Sequence, residues 1–251
     1  MYRQGIFTIS VKAGRVVGIC IKKFVDCMTK KTRRKIMADK KIITWDIETI
    51  ADKSVIPFLP PVKPNGTLKD AIKIKADIEK KEIDRIAKLG LDPTTARICC
   101  FGWCDGNKTS HLILKDESPE AEKALIQKIW DILSTGDHFV TFNGISFDVP
   151  MLLMRSLINR VRPAVQISTK KYTIQNHTDV RAVLSNWDNF AKGSLDFYSR
   201  LLLDRTPKGD FDGSDVQMMY EMEMFEDIGN YCKQDTQCTF EIYELLTQYY
   251  L

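Results

Sequence analysis

The stretch Lys41-Ile42-Ile43-Thr44-Trp45-Asp46-Ile47, followed directly by Glu48 and Thr49, decides the fold. It is short, rich in β-branched and aromatic residues, and preceded by charged residues, which is the pattern of a β-strand. Alternate residues of a strand share a face. Asp46 and Glu48 therefore project one way, and Trp45 and Ile47 the other. One face is built for a core; the other carries two acids near the strand's end. Neighbouring carboxylates repel, and a divalent cation is the usual reason to keep such a pair ionised. The tripeptide alone is a weak signal. A second one, Asp77-Ile78-Glu79, lies in a lysine-rich helical pattern and reads as a solvated helix face.

Working outward, a passage with Pro57, Pro60, Pro61 and Pro64 is read as irregular. Thr67–Leu89 is helical, with Thr67 and Asp70 as a capping box and Gly90 as the stop. Together, residues from about 51 to 90 form a Pro-rich and helical insert. Arg97–Cys104 and Ser110–Leu114 make a hairpin about Asp105-Gly106-Asn107. Pro119–Leu133 is an amphipathic helix, with Ala121, Leu125, Ile129 and Ile132 on one side. His138–Phe142 is a strand and Val149–Ile158 a helix; a less regular stretch runs to about Phe225, and Glu226–Tyr250 closes the chain as a helix. A strand, a hairpin and then helix–strand–helix alternation indicate a mixed α/β sheet flanked by helices.

Two further motifs carry acids. Phe142-Asn143-Gly144-Ile145-Ser146-Phe147-Asp148 sits at a strand-to-helix junction, with Gly144 read as supplying an unusual backbone angle. Sites in open α/β sheets form beyond the carboxyl ends of strands, where this loop falls. The plain alternative is that Asp148 only caps its helix. Tyr231-Cys232-Lys233-Gln234-Asp235 places a phenol and a carboxylate one turn apart on one helical face. That face also bears Ile228 and Ile242, so Asp235 lies toward the buried side, where a lone carboxylate is costly without a partner.

Taken in order, WDIET, FNGISFD and YCKQD resemble the three motifs of the DEDD exonuclease superfamily. The tyrosine four residues before the last aspartate is similar to the mark of its tyrosine subclass. Within that, the chain looks most like stand-alone relatives of the proofreading domain of family B DNA polymerases. The likeness covers roughly residues 41–248, including the KGDFDG passage at Lys208–Gly213; Thr49 is followed by Ile50, where the superfamily often has glycine. The resemblance implies a ribonuclease H-like fold of about five strands and a 3′→5′ exonuclease releasing 5′-mononucleotides. It implies two divalent cations, Mg²⁺ or Mn²⁺, about 3.5–4 Å apart. Asp46 would bridge them, Glu48 and Asp235 would complete one site, and Asp148 would serve the other. Tyr231 would orient the attacking water. Asn143 would tether the site or the terminal sugar, and Thr49 and Phe147 would contact the last nucleotide, with core packing an equal reading for Phe147. Asp179 is the reserve carboxylate should Asp148 fail; His111, His138 and His177 are read as structural. The other readings are the same chemistry on RNA, and an inactive nucleic-acid-binding module on the same fold.

Composition sets the remaining bounds. Residues 1–36 carry a net +9 and the rest −5, so the overall +4 says little about nucleic-acid affinity. The basic extension is read as sequence ahead of a start at Met37, with a nucleic-acid arm or an organelle-targeting segment as alternatives. The domain then spans 37–251. Seven cysteines without CxxC spacing suggest reduced core thiols, no structural zinc, and a reducing, intracellular (cytoplasmic) setting. No run of about 20 apolar residues is present, so no membrane partner is expected. The expected partners are nucleic acid with a free 3′ end, single-stranded DNA ahead of RNA, and a replication or repair protein.

Overall fold

In the computed structural model, the expected first strand runs from Ile42 to Ala51 (β1). The structure describes residues 40–188, 190–191, 193–206 and 211–251. The basic extension at 1–36 and the first three residues of the KGDFDG passage lie outside the described residues. The other strands are Ala96–Cys104 (β2), Thr109–Ile113 (β3), His138–Thr141 (β4) and His177–Asp179 (β5), and the sheet order is β3-β2-β1-β4-β5. β1 pairs antiparallel with β2 and parallel with β4, so the middle strand is where the two senses meet.

The helices are Ala71–Lys88 (α1), Pro119–Leu133 (α2), Asp148–Ile158 (α3), Val180–Leu184 (α4), Leu195–Leu203 (α5), Val216–Glu221 (α6) and Phe225–Tyr249 (α7). They build a core on each side of the sheet. Trp45, Ile47, Ile98 and Phe101 pack with Ile126, Trp130 and Leu152 of α2 and α3. Ile50, Cys99 and Cys100 pack with Met219, Ile228 and Cys232 of α6 and α7. Cys99 and Cys100 are chain neighbours on one face because the β1–β2 register slips: Glu48 pairs with Cys100, but Thr49 pairs with Ile98. Cys99 is the extra residue of a β-bulge, a feature common beside functional sites.

Two sequence-derived details are corrected. Helix α1 is capped by Asp70 itself, whose carboxylate accepts the Ile72 and Lys73 N–H groups at 3.0 Å each; Thr67 turns to Asn65 instead. An aspartate outcompetes a box begun three residues earlier because it supplies the first turn's acceptor directly. The proline-rich passage opens with a 3-10 turn, Lys53–Phe58, that contains Pro57, whose fixed φ suits such a turn.

A buried ionic quartet was not foreseen. Arg155 of α3 donates to Glu122 of α2 at 2.7 and 2.6 Å and to Asp52, just past β1, at 3.1 Å. Arg97 of β2 reaches the other Asp52 oxygen at 3.2 Å. Burial pushes Asp52 up, but Ser54 and the two arginines outweigh it and hold the carboxyl below its usual range. Two arginines against two acids leave the cluster formally neutral, the condition under which buried charge is tolerated.

Candidate active site

Trp45 and Ile47 are sunk in the α2/α3 core, which fixes the other face of β1 under α7. Asp46 and Glu48 occupy that face, half-buried. Asp148 begins α3, but its carboxylate serves β1: Oδ1 accepts the Ile47 N–H at 3.1 Å, out of solvent. It is therefore tied to the backbone between Asp46 and Glu48, and no side-chain capping bond is made at Phe147, the residue before the helix. From α7, Tyr231 hydrogen-bonds with Asp235 and lies close enough to Glu48 and Asp46 to feel their charge.

Helix α7 reaches the sheet because Gly102 of β2 has no side chain. A Cβ there would lie 2.7 Å from Thr236 Oγ1 and 2.8 Å from Cys232 Sγ. Sequence reasoning missed Cys232 as a neighbour of the acids. Its thiol lies 3.7 Å from Asp46 Oδ2, and donor atoms of Asp46, Glu48 and Cys232 fall within 4.8 Å of one another. The signal was its place beside Tyr231 on a helix whose adjoining face is apolar.

The electrostatics follow from burial and from like charge. Asp46 is raised well above the ordinary carboxylate range, by burial first and then by Asp148, Glu48 and Asp235. Glu48 is raised by burial and then Asp235, with a hydrogen bond from Asp46 pulling slightly the other way. Burial lifts Asp148 to about 7 against its hydrogen bond from Ile47. Burial, then Asp235, Glu48 and Asp46, also push the Tyr231 phenol up, so it stays protonated at neutral pH. The structure thus gathers Asp46, Glu48, Asp148, Tyr231 and Asp235 from three separate elements.

The expected nucleotide contacts are placed around this centre. Thr49 Oγ1 donates to the Gly90 carbonyl at 2.6 Å, pinning the insert to β1. Asn143 accepts from Arg181 Nη1 at 2.8 Å, and Phe147 leans partly on the α2/α3 core. It is Asn143, at φ 68°, that takes the left-handed backbone, not Gly144. Gly144 is required because a Cβ would run into the Thr141 side chain. Asp179 accepts the N–H groups of Asn143, Ile145 and Ala182 at 2.9, 3.0 and 3.1 Å, stapling the loop to β5. His138 meets Thr178 at 2.8 Å and His177 meets Thr141 at 2.8 Å, both inside the sheet. His111 lies 4.0 Å from Glu226.

A five-stranded mixed sheet in this order, flanked by helices, defines a ribonuclease H-like α/β domain. Its fold is similar to part of the family B DNA polymerase from the hyperthermophilic archaeon Pyrobaculum calidifontis, with a TM-score of 0.56, 11% identity and 83% of this chain covered. The likeness takes in 24% of the polymerase chain, so this chain spans about a quarter of that length. No curated protein matches the sequence. The chain belongs to the family of predicted 3′-5′ exonucleases related to the exonuclease domain of PolB, whose family model matches residues 93–249. That span contains FNGISFD and YCKQD and begins after WDIET.

Proposed function

We propose that this chain is a metal-dependent 3′→5′ exonuclease of the tyrosine subclass, cutting single-stranded DNA from its 3′ end to release 5′-mononucleotides. The observation that carries it is the convergence of Asp46, Glu48, Asp148 and Asp235, each from a motif in the expected order, into one mutually repelling cluster. Oxygen donors that raise one another's proton affinity fit hard divalent cations, Mg²⁺ or Mn²⁺. Asp46, Glu48 and Asp235 would hold one and Asp46 with Asp148 a second. Bound there, the cations supply an activated water and stabilise the departing 3′-oxygen.

The chain's own groups supply position. Asp148 accepts the Ile47 N–H, which holds its carboxylate against β1. The protonated Tyr231 phenol acts as a hydrogen-bonding guide for the attacking water; a base would have to lose that proton. Asn143, held by Arg181, contacts the terminal nucleotide together with Thr49 and Phe147. The folded domain begins near residue 37, residues 1–36 being a basic extension. A replication or repair protein in a reducing, intracellular compartment completes the reading.

The test is single-turnover cleavage of 5′-labelled single-stranded DNA and RNA of matched sequence, with EDTA, Mg²⁺ or Mn²⁺. Metal-dependent release of mononucleotides from the 3′ end, faster on DNA and lost in Asp46→Ala, is expected. Tight strand binding with no cleavage under any metal would leave a binding module in its place.

A further inference from the structure

Beside the loop that delivers Asp148 the surface opens into a cavity of about 360 Å³, lined in part by Asn143, Ser146, Lys171, Arg181, Trp187 and Asp188. We propose that it holds a nucleotide of the incoming single strand, upstream of the one being removed, with its base on Trp187 and Tyr172 and its phosphate against Lys171 and Arg181. The proposal rests on the nuclease reading only for which strand arrives there.

The chemistry is that of single-strand binding, in which aromatic faces take bases and cations follow the backbone. Trp187 lines the cavity, and the ring of Tyr172, the residue after the lining Lys171 and 75% exposed, lies 5.7 Å from the Trp187 ring. Arg181 is held rigid by Asn143 Oδ1 at 2.8 Å and the Ala191 carbonyl at 3.3 Å. Acids also line the space, but they already serve the backbone. Asp179 accepts three N–H groups, and Asp188 accepts that of Phe190 at 2.9 Å. The lining is formally balanced, and Lys171 and Arg181 are the groups in it whose cationic donors suit a phosphate.

Backbone strain points the same way. Asn143, Tyr172, Asn186 and Trp187 all sit at left-handed φ, between 50° and 68°, without being glycine. Such conformations carry a free-energy cost and persist where surrounding structure over-determines them, as at ligand clamps. A tryptophan in that region is worse placed than a glycine would be, yet it is a residue that lines the cavity.

Binding is measured in EDTA, so cleavage plays no part, using oligothymidylates and oligouridylates of one to six nucleotides. In the parent, affinity should step up once the strand is long enough to enter, with quenching of tryptophan fluorescence that Trp187→Phe identifies by difference. Trp187→Ala and Lys171→Ala should each weaken the longer oligonucleotides by roughly tenfold and remove the step. Trp187→Gly should bind as weakly as Trp187→Ala but melt no lower, because glycine relieves the left-handed backbone. Lys171 is exposed, so its variant folds whatever happens at Trp187. Parent-like affinity of Lys171→Ala for every length, with no quenching in the parent that Trp187→Phe removes, overturns the proposal. A length step in a protein that cuts nothing keeps the cavity and removes the nuclease reading; cutting without a step does the reverse. The two nucleic acids report separately which sugar the cavity accepts.

Discussion

Asp148 serves two purposes that substitution can separate. Its carboxylate accepts the buried Ile47 N–H and adds charge to an acidic cluster. Asp148→Asn keeps an acceptor and drops the charge, so without metal it should melt at or above the parent at pH 8 while losing cleavage. Asp148→Ala leaves that N–H unpaired and should fall about 1–3 kcal/mol below the asparagine variant. Calorimetry in EDTA checks both. The pH dependence has a fixed sign. A carboxyl raised to about 7 by burial favours the protonated fold. Its contribution is full below its unfolded value, about 4, and is lost as pH climbs through about 7. Metal-free stability should decline across that window, less so in Asp148→Asn. Tyr231→Phe keeps the ring and every carboxylate. It should slow single-turnover cleavage by roughly 10- to 1,000-fold while the Mn²⁺-induced rise in melting temperature stays. A variant as fast as the parent would take the phenol out of the mechanism.

At the scale of elements, the seat of α7 on the sheet decides where Tyr231 and Asp235 stand. Gly102→Ala puts a Cβ against Thr236, Cys232 Sγ and, at 3.0 Å, the Cys232 carbonyl. A carbonyl in a helix cannot step aside as a flexible side chain can, so the helix must lift. The expected cost is about 1–3 kcal/mol, with a cleavage loss well beyond it because two site groups ride on the same turn. Urea melts and cleavage rates of one preparation test this pairing; destabilisation with full activity would mean that the helix yields elsewhere. The elements that sequence revealed are those with a long period. Pro119–Leu133 came out end to end, because Ala121, Leu125, Ile129 and Ile132 recur at helical spacing; the face that is buried is carried by Leu125, Ile126, Ile129, Trp130 and Leu133. β5 was invisible because it is three residues, His-Thr-Asp, with no alternation to see. Its strand character comes from pairing beside β4. α4, α5 and α6 are five to nine residues each, too short to show a face against a mixed background.

For the molecule as a whole, the Asp52–Arg97–Glu122–Arg155 quartet joins the end of β1 to β2, α2 and α3, the helix that begins with Asp148. Arg155→Met should cost about 3–5 kcal/mol, since two buried acids lose their chief counter-charge. Denaturant unfolding measures it, and an effect near zero would mean that water enters the cluster. These four residues stand 45, 25 and 33 positions apart, so no local pattern could announce them. The four acids of the site were legible because they fall in three short motifs. A protein beginning at Met37 should fold and cut, with a shallower salt dependence of strand binding if the +9 segment touches the backbone; an insoluble product would move the boundary. The extra residue in β2 gives the chain a parity. On its carboxyl side odd-numbered Phe101 and Trp103 look toward α2 and α3; on its amino side even-numbered Ala96 and Ile98 do. Removing Cys99 alone would make the count regular and leave Ile98 and Ala96 facing the apolar layer they now fill. A one-codon deletion of Cys99 should be better tolerated than deletion of a regularly paired neighbour such as Phe101, because only loss of the extra residue keeps the sense of every residue before it.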